Sequence, residues 1–174
     1  MYYLTIGYPL GAEIIDNRQI YQISLNSKTI RLLPIEYRIW SRFLLGAQDE
    51  EVERTLSEQD QYGFAPTMNK LLQAGMLHPL SGDFSEMKDL IFLRQGIGAG
   101  LDFETNTYNI VFCNIIQLNF LEYSIWKEAN GVIAFEELER RLILKYKYSV
   151  ENIRNTVVGL CRRVILISIN RIEG

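Results

Sequence analysis

The chain has 174 residues, of which 48% are hydrophobic and 22% charged, with a formal net charge of −3 and a pI of about 5.3. That length holds one domain or two small ones, with enough apolar residues for a core that needs no metal or disulfide staple. The acidic balance excludes a uniformly basic nucleic-acid coat, and no run of about 18 apolar residues exists to cross a membrane as a helix.

The chain begins with MYYLTIGYPLGAE. It lacks the basic start and apolar middle of a signal peptide and reads as a strand, so a cytoplasmic protein is expected. IYQISLNSKTIRL, residues 20–32, is rich in β-branched and aromatic residues that suit a half-buried sheet, with Asn26-Ser27 turning a hairpin. A helix then opens at Pro34, where the missing N–H is not needed. Ile35, Ile39, Phe43 and Leu44 share its apolar face, and Trp40 closes that face as a core anchor. After LGAQ a second helix is predicted from Asp49 to Glu58, its acidic start matched to the positive end of the helix dipole. A third helix, FAPTMNKLLQAG, has Pro66 near its start and Gly75 past its end. The strand MLHPL follows at 76–80, where His78 reads as a polar residue at a strand end. The polar stretch 81–89 then reads as a hinge.

IFLRQGIGAGLDFE returns as β structure. Gly96, Gly98 and Gly100 mark a bend or bulge in strands, because no helix follows them to complete a phosphate loop. YNIVFCNIIQL, residues 108–118, then begins a second pass through the same phrase. Shifted by 86 positions, Glu36, Tyr37, Ile39 and Trp40 match Glu122, Tyr123, Ile125 and Trp126. Further along, Glu50, Glu51, Glu53, Arg54 and Leu56 match Glu136, Glu137, Glu139, Arg140 and Leu142. Asn119 can cap the first helix of this copy, with Glu122 completing a capping box. Trp126 takes the core slot of Trp40. Helices are predicted over 135–145 and, capped by Ser149, over VENIRNTVVGLCRR. The strand VILISI follows at 164–169. Cys113 and Cys161 sit among apolar residues and read as buried free thiols.

The order strand, helix, short acidic helix, third helix, strand resembles the winged helix-turn-helix superfamily. LPIEYRIW…EEVERTL…PTMNKLLQAGML carries the likeness in the first copy, and FLEYSIW…EELERRL…NIRNTVVGLCRRVIL in the second. The resemblance implies an α+β chain of two winged-helix-like units, each with a small antiparallel sheet and three helices, related by internal duplication. The units are placed at 1–85 and 86–174. A wing in the first unit is expected from strands 76–80 and 90–94, and little chain is left for one in the second.

Charge divides the chain. Residues 1–139 hold 10 basic and 19 acidic residues, whereas 140–171 hold 8 basic residues and one acidic, Glu151. Clustered cations are what phosphate contacts require. The DNA-binding candidates are therefore Lys145, Lys147, Asn152, Arg154, Asn155, Arg162 and Arg163, with the two asparagines suited to base edges. The leading expectation is a small non-enzymatic regulator that binds double-stranded DNA through its second unit. The alternative is a protein- or peptide-binding adaptor of the same fold, since sheet edges can accept an added strand. A homodimer is compatible with both. No zinc-ligand spacing, nucleophile motif, P-loop or dinucleotide fingerprint occurs, so neither metal, cofactor nor catalysis is expected.

Overall fold

The computed structural model describes residues 1–171 and begins, as the N-terminal sequence predicts, on a strand, Tyr2–Thr5 (β1). Tyr8–Ile15 (β2), Arg18–Leu25 (β3) and Lys28–Leu32 (β4) follow as an antiparallel meander. Its turns, Asp16-Asn17 and Asn26-Ser27, each place two successive residues at positive φ, the geometry a two-residue hairpin needs. The sequence showed the second of these hairpins but not the first. A bulge between Pro9 and Gly11 interrupts the alternation of β2 and hides it from pattern reading. On the inner face Ile23, Leu25 and Leu32 are buried.

Pro34–Arg42 (α1) lies across that face. Tyr37 on α1 stacks on Tyr21 of β3 with ring centroids 3.9 Å apart, and Trp40 is fully buried. A 3-10 turn and the short strand Ala47–Gln48 (β5) lead to Asp49–Arg54 (α2), Glu58–Tyr62 (α3) and Phe64–Gln73 (α4). The single helix expected over 49–58 is thus broken. The Thr55 hydroxyl turns back to the Val52 carbonyl, and Ser57 caps a new helix by accepting from the Asp60 amide.

Leu77–Leu80 (β6) then pairs antiparallel with β1, from Thr5↔Leu77 to Tyr2↔Leu80. This corrects the expected wing, because 76–80 and 90–94 do not pair with each other. The polar stretch between them is a compact bend with a 3-10 turn over Ser85–Asp89. The Asp83 carboxylate accepts from Ser81 and Ser85, and Met87 is fully buried beneath. The central place in the first sheet, order β5-β1-β6, goes to the strand at the N-terminal end.

The second half runs through a similar order of elements. Leu90–Arg94 (β7) is its central strand, followed by a meander of Ile97–Asp102 (β8), Thr107–Phe112 (β9) and Asn114–Leu118 (β10). The expected glycine bulge is present, as a register shift between Gly98 and Gly100. Next come Phe120–Glu128 (α5), Asn130–Ala134 (β11), Phe135–Tyr146 (α6), Val150–Arg162 (α7) and Leu166–Arg171 (β12). The sheet order is β11-β7-β12. Asn119 and Glu122 form the expected capping box, and Tyr123 stacks on Tyr108 at 4.0 Å. Trp126 is buried, as Trp40 is. Cys161 is buried too, but Cys113 is exposed at the tight β9–β10 turn with φ 59°, contrary to expectation. One apolar cluster runs from Leu4 to Leu166 and draws on both halves. Among the described residues the whole is a mixed α+β protein of seven α-helices and four small antiparallel sheets.

Candidate functional site

The arginines of the basic segment are engaged within the chain, while Lys145, Lys147, Arg162 and Arg163 remain exposed. Arg154 is largely buried: its Nε donates to Glu139 on α6 at 2.9 Å, and its Nη1 donates to the Asp83 carbonyl at 3.1 Å. Arg163 donates to the Glu122 carboxylate at 2.8 Å and to the Gln117 carbonyl. Arg162 donates to the Tyr2 hydroxyl and lies over its ring. Burial raises the Tyr2 phenol above its ordinary pKa despite the opposing guanidinium. Arg140 and Arg141 both bind Glu137 and hold its carboxyl down to about 2. Lys145 lies over the Tyr146 ring, and Lys147 closes α6 in a left-handed conformation. Asn152 and Asn155 are exposed on α7, but the arginine between them faces inward. The seven candidates lie on or just before α7 and at its end, and the guanidinium groups of Arg154, Arg162 and Arg163 are engaged within the chain.

A different site lies where the halves meet. Two hydrogen bonds join the residue before the first meander and its β3–β4 turn to β12. The Gly7 N–H donates to the Ser168 carbonyl at 3.0 Å, and the Asn26 N–H donates to the Asn170 side-chain oxygen at 2.9 Å. Beside them opens a cleft of about 470 Å³. Tyr8, Ser24 and Asn26 line it from the first half, and Arg94, Gln95 and Asn170 from the second. Leu10, Leu93 and Ile169 give it apolar patches, and among the described lining residues Arg94 carries the single charge.

The backbone under Arg94 is held on several sides. Its own N–H donates to the Ala129 carbonyl at 2.9 Å, and the next N–H, of Gln95, donates to Ile165 at 2.8 Å. The Trp126 indole N–H donates to the Gln95 carbonyl at 2.7 Å. The guanidinium lies 5.0 Å from the centre of the Trp126 ring, and its Nη1 donates to the Lys127 carbonyl at 2.6 Å. Among the described residues it forms no ion pair. A guanidinium fixed by an aromatic face and a carbonyl is ready to receive an anionic or carbonyl oxygen. Sequence reasoning passed over Arg94 because it stands alone in an apolar strand. Only the structure marks its place: the residue opposite the start of the strand that closes each half is Thr5 in the first, across from Leu77, and Arg94 in the second, across from Leu166.

No known protein family and no curated protein sequence matches the chain. Among solved structures it resembles PKMT2 from Rickettsia typhi, with a TM-score of 0.36 and 11% identity over 96% of this chain and 43% of that one. A second PKMT2 structure, in complex with AdoHcy, gives 0.35 and 12% over 94% and 41%. The chain thus spans less than half the length of these proteins. Both of these structures are of PKMT2 and neither is of a DNA-binding regulator; the expectations of a DNA-binding regulator and of a chain without catalytic activity are not carried further. At such a TM-score the likeness transfers neither PKMT2's fold nor its AdoHcy to this chain.

Proposed function

We propose that the chain is a ligand-binding module whose two halves are winged-helix-like units, related by internal duplication, that form one cleft between them. What supports the duplication is the matched sheet order, β5-β1-β6 and β11-β7-β12, with the stacked tyrosine pair and buried tryptophan at matching places. In this reading the central sheet strand of each unit, β1 or β7, comes from its N-terminal side, where a wing would otherwise return. The occupant of the cleft is a short segment of a protein partner. The observation that carries the binding reading is the cleft itself, lined by polar groups from both halves beside two fixed interhalf hydrogen bonds.

The test is thermal unfolding of the protein with a pool of pentapeptides, on the wild type and on Ser24→Trp, which fills the cleft from the first meander. Peptides that raise the midpoint of the wild type are expected to lose that effect on the variant, because stabilisation by binding follows site occupancy. A midpoint unmoved by any peptide, or a shift that survives the filled cleft, counts against the proposal.

A further inference from the structure

Resting on the cleft reading, we infer that the group recognised there is a carboxylate, and that Arg94 is its specificity-determining partner. An arginine side chain carries five N–H donors in a planar fork, and its Nε and Nη2 edge matches the two oxygens of a carboxylate. In Arg94 the opposite corner is already committed, since Nη1 donates to the Lys127 carbonyl. The Trp126 ring lies against the guanidinium. The Nε and Nη2 hydrogens meet no acceptor among the described residues. Two of the restraints that an incoming anion would otherwise impose are thus in place before it arrives, which lowers the entropy lost on binding.

The surroundings fit a carboxylate on an apolar body. Tyr8 and Ser24 bring hydroxyl donors to the same cleft, and Asn170 brings a side-chain amide whose oxygen is already occupied by the Asn26 N–H. Its NH₂ group is a further donor. No carboxylate stands among the described lining residues to compete for the guanidinium. Leu93 and Ile169 offer apolar contact to the atoms behind the charged group. The carboxylate belongs either to the C-terminus of the bound segment or to an aspartate or glutamate side chain within it.

The chain contains two tryptophans, and one of them reports on the site. Trp126 lies against Arg94, whereas Trp40 is buried in the first half and its indole N–H has no partner among the described residues. In a Trp40→Phe background, emission reads Trp126 alone. Three pentapeptide pools serve as probes: one free of acidic residues with an open C-terminal carboxylate, one amidated but containing aspartate or glutamate, and one amidated and free of acidic residues. Quenching or shift of Trp126 emission is expected with the first or second pool, which separates the two sources, and not with the third. Arg94→Gln is expected to weaken that binding by about tenfold or more, and Arg94→Lys, which keeps the charge without the fork, by less. Equal binding of the neutral amidated pool overturns the carboxylate assignment while leaving the cleft reading standing. So does unchanged affinity in a folded Arg94→Gln protein. Binding by none of the pools overturns both.

Discussion

His78 is the only histidine in the chain, and it is buried on β6, where its Nε2 lies 2.9 Å from the Glu86 carbonyl in the turn after that strand. Burial lowers its pKa below the ordinary value, more than the Glu86 contact raises it. The folded protein therefore resists protonating a group that the unfolded chain protonates from about pH 6.5 downward. A depressed histidine pKa contributes nothing above that value and costs stability as pH falls below it, because the unfolded state then binds more protons. We expect the free energy of unfolding by urea to decline as pH falls below about 6.5, and a His78→Gln variant to lose that decline. The carboxylates with lowered pKa values, such as Asp49 and Asp60, act in a lower window and do not confuse the result. A slope that persists in the variant would place the effect elsewhere. Trp126 and Trp40 show the same dependence on surroundings: the first donates its N–H to the Gln95 carbonyl and the second meets no acceptor among the described residues, although the sequence around both is alike.

Helix packing decides what the basic segment does. Arg154 ties α7 to Glu139 on α6 and to the 81–89 bend, and both side chains of the ion pair are mostly buried. Replacing Arg154 with alanine leaves the mostly buried Glu139 carboxylate without its partner and is expected to cost about 1–3 kcal/mol. Arg140, whose pair with Glu137 lies at the surface, should tolerate alanine with no measurable change. Urea midpoints of the two variants check this contrast, and equal destabilisation would contradict the clasp. The periodicity that places Ile153, Val157, Leu160 and Cys161 inside is readable without a structure, and all four are buried. The spacing of Arg154 to its partners is not, because they lie 15 and 71 positions away.

Across the whole molecule the two halves are held where backbone geometry permits a close approach. Gly7 has φ of 118°, and a Cβ there would lie 2.6 Å from the Ile23 side chain and 3.1 Å from the Ser24 carbonyl. Its N–H makes the bond to Ser168 that fixes one wall of the cleft. Gly7→Ala is expected to destabilise the protein by about 1–3 kcal/mol through backbone strain alone. It should also speed amide exchange at residue 7 and along β12 more than in α4. Uniform protection in the variant would show that this contact does not hold the halves together.

The sequence by itself determined most of the elements and their repetition. Helical and alternating periodicities, the Asn119 and Ser149 caps, the Asn26-Ser27 turn, the glycine bulge and the two tryptophan slots are local patterns, and local patterns survive in a linear text. The break after α2 was missed because a serine cap inside a charged run looks like helix surface. Only the tertiary structure decided the strand pairing and the site. β1 displaces the expected wing by pairing with β6 across more than 70 residues, a choice made by register and burial that no local spacing encodes. The arginines of 140–171 read as a binding face because their sequence neighbours are basic, yet their neighbours in space are Glu139, Glu122 and Tyr2. Arg94 reads as nothing in the sequence and stands in the cleft because folding brings Trp126 beneath it and the first meander across from it. Electrostatics acts over a few ångströms of space, so the partners of a charge are known only once the chain has closed on itself.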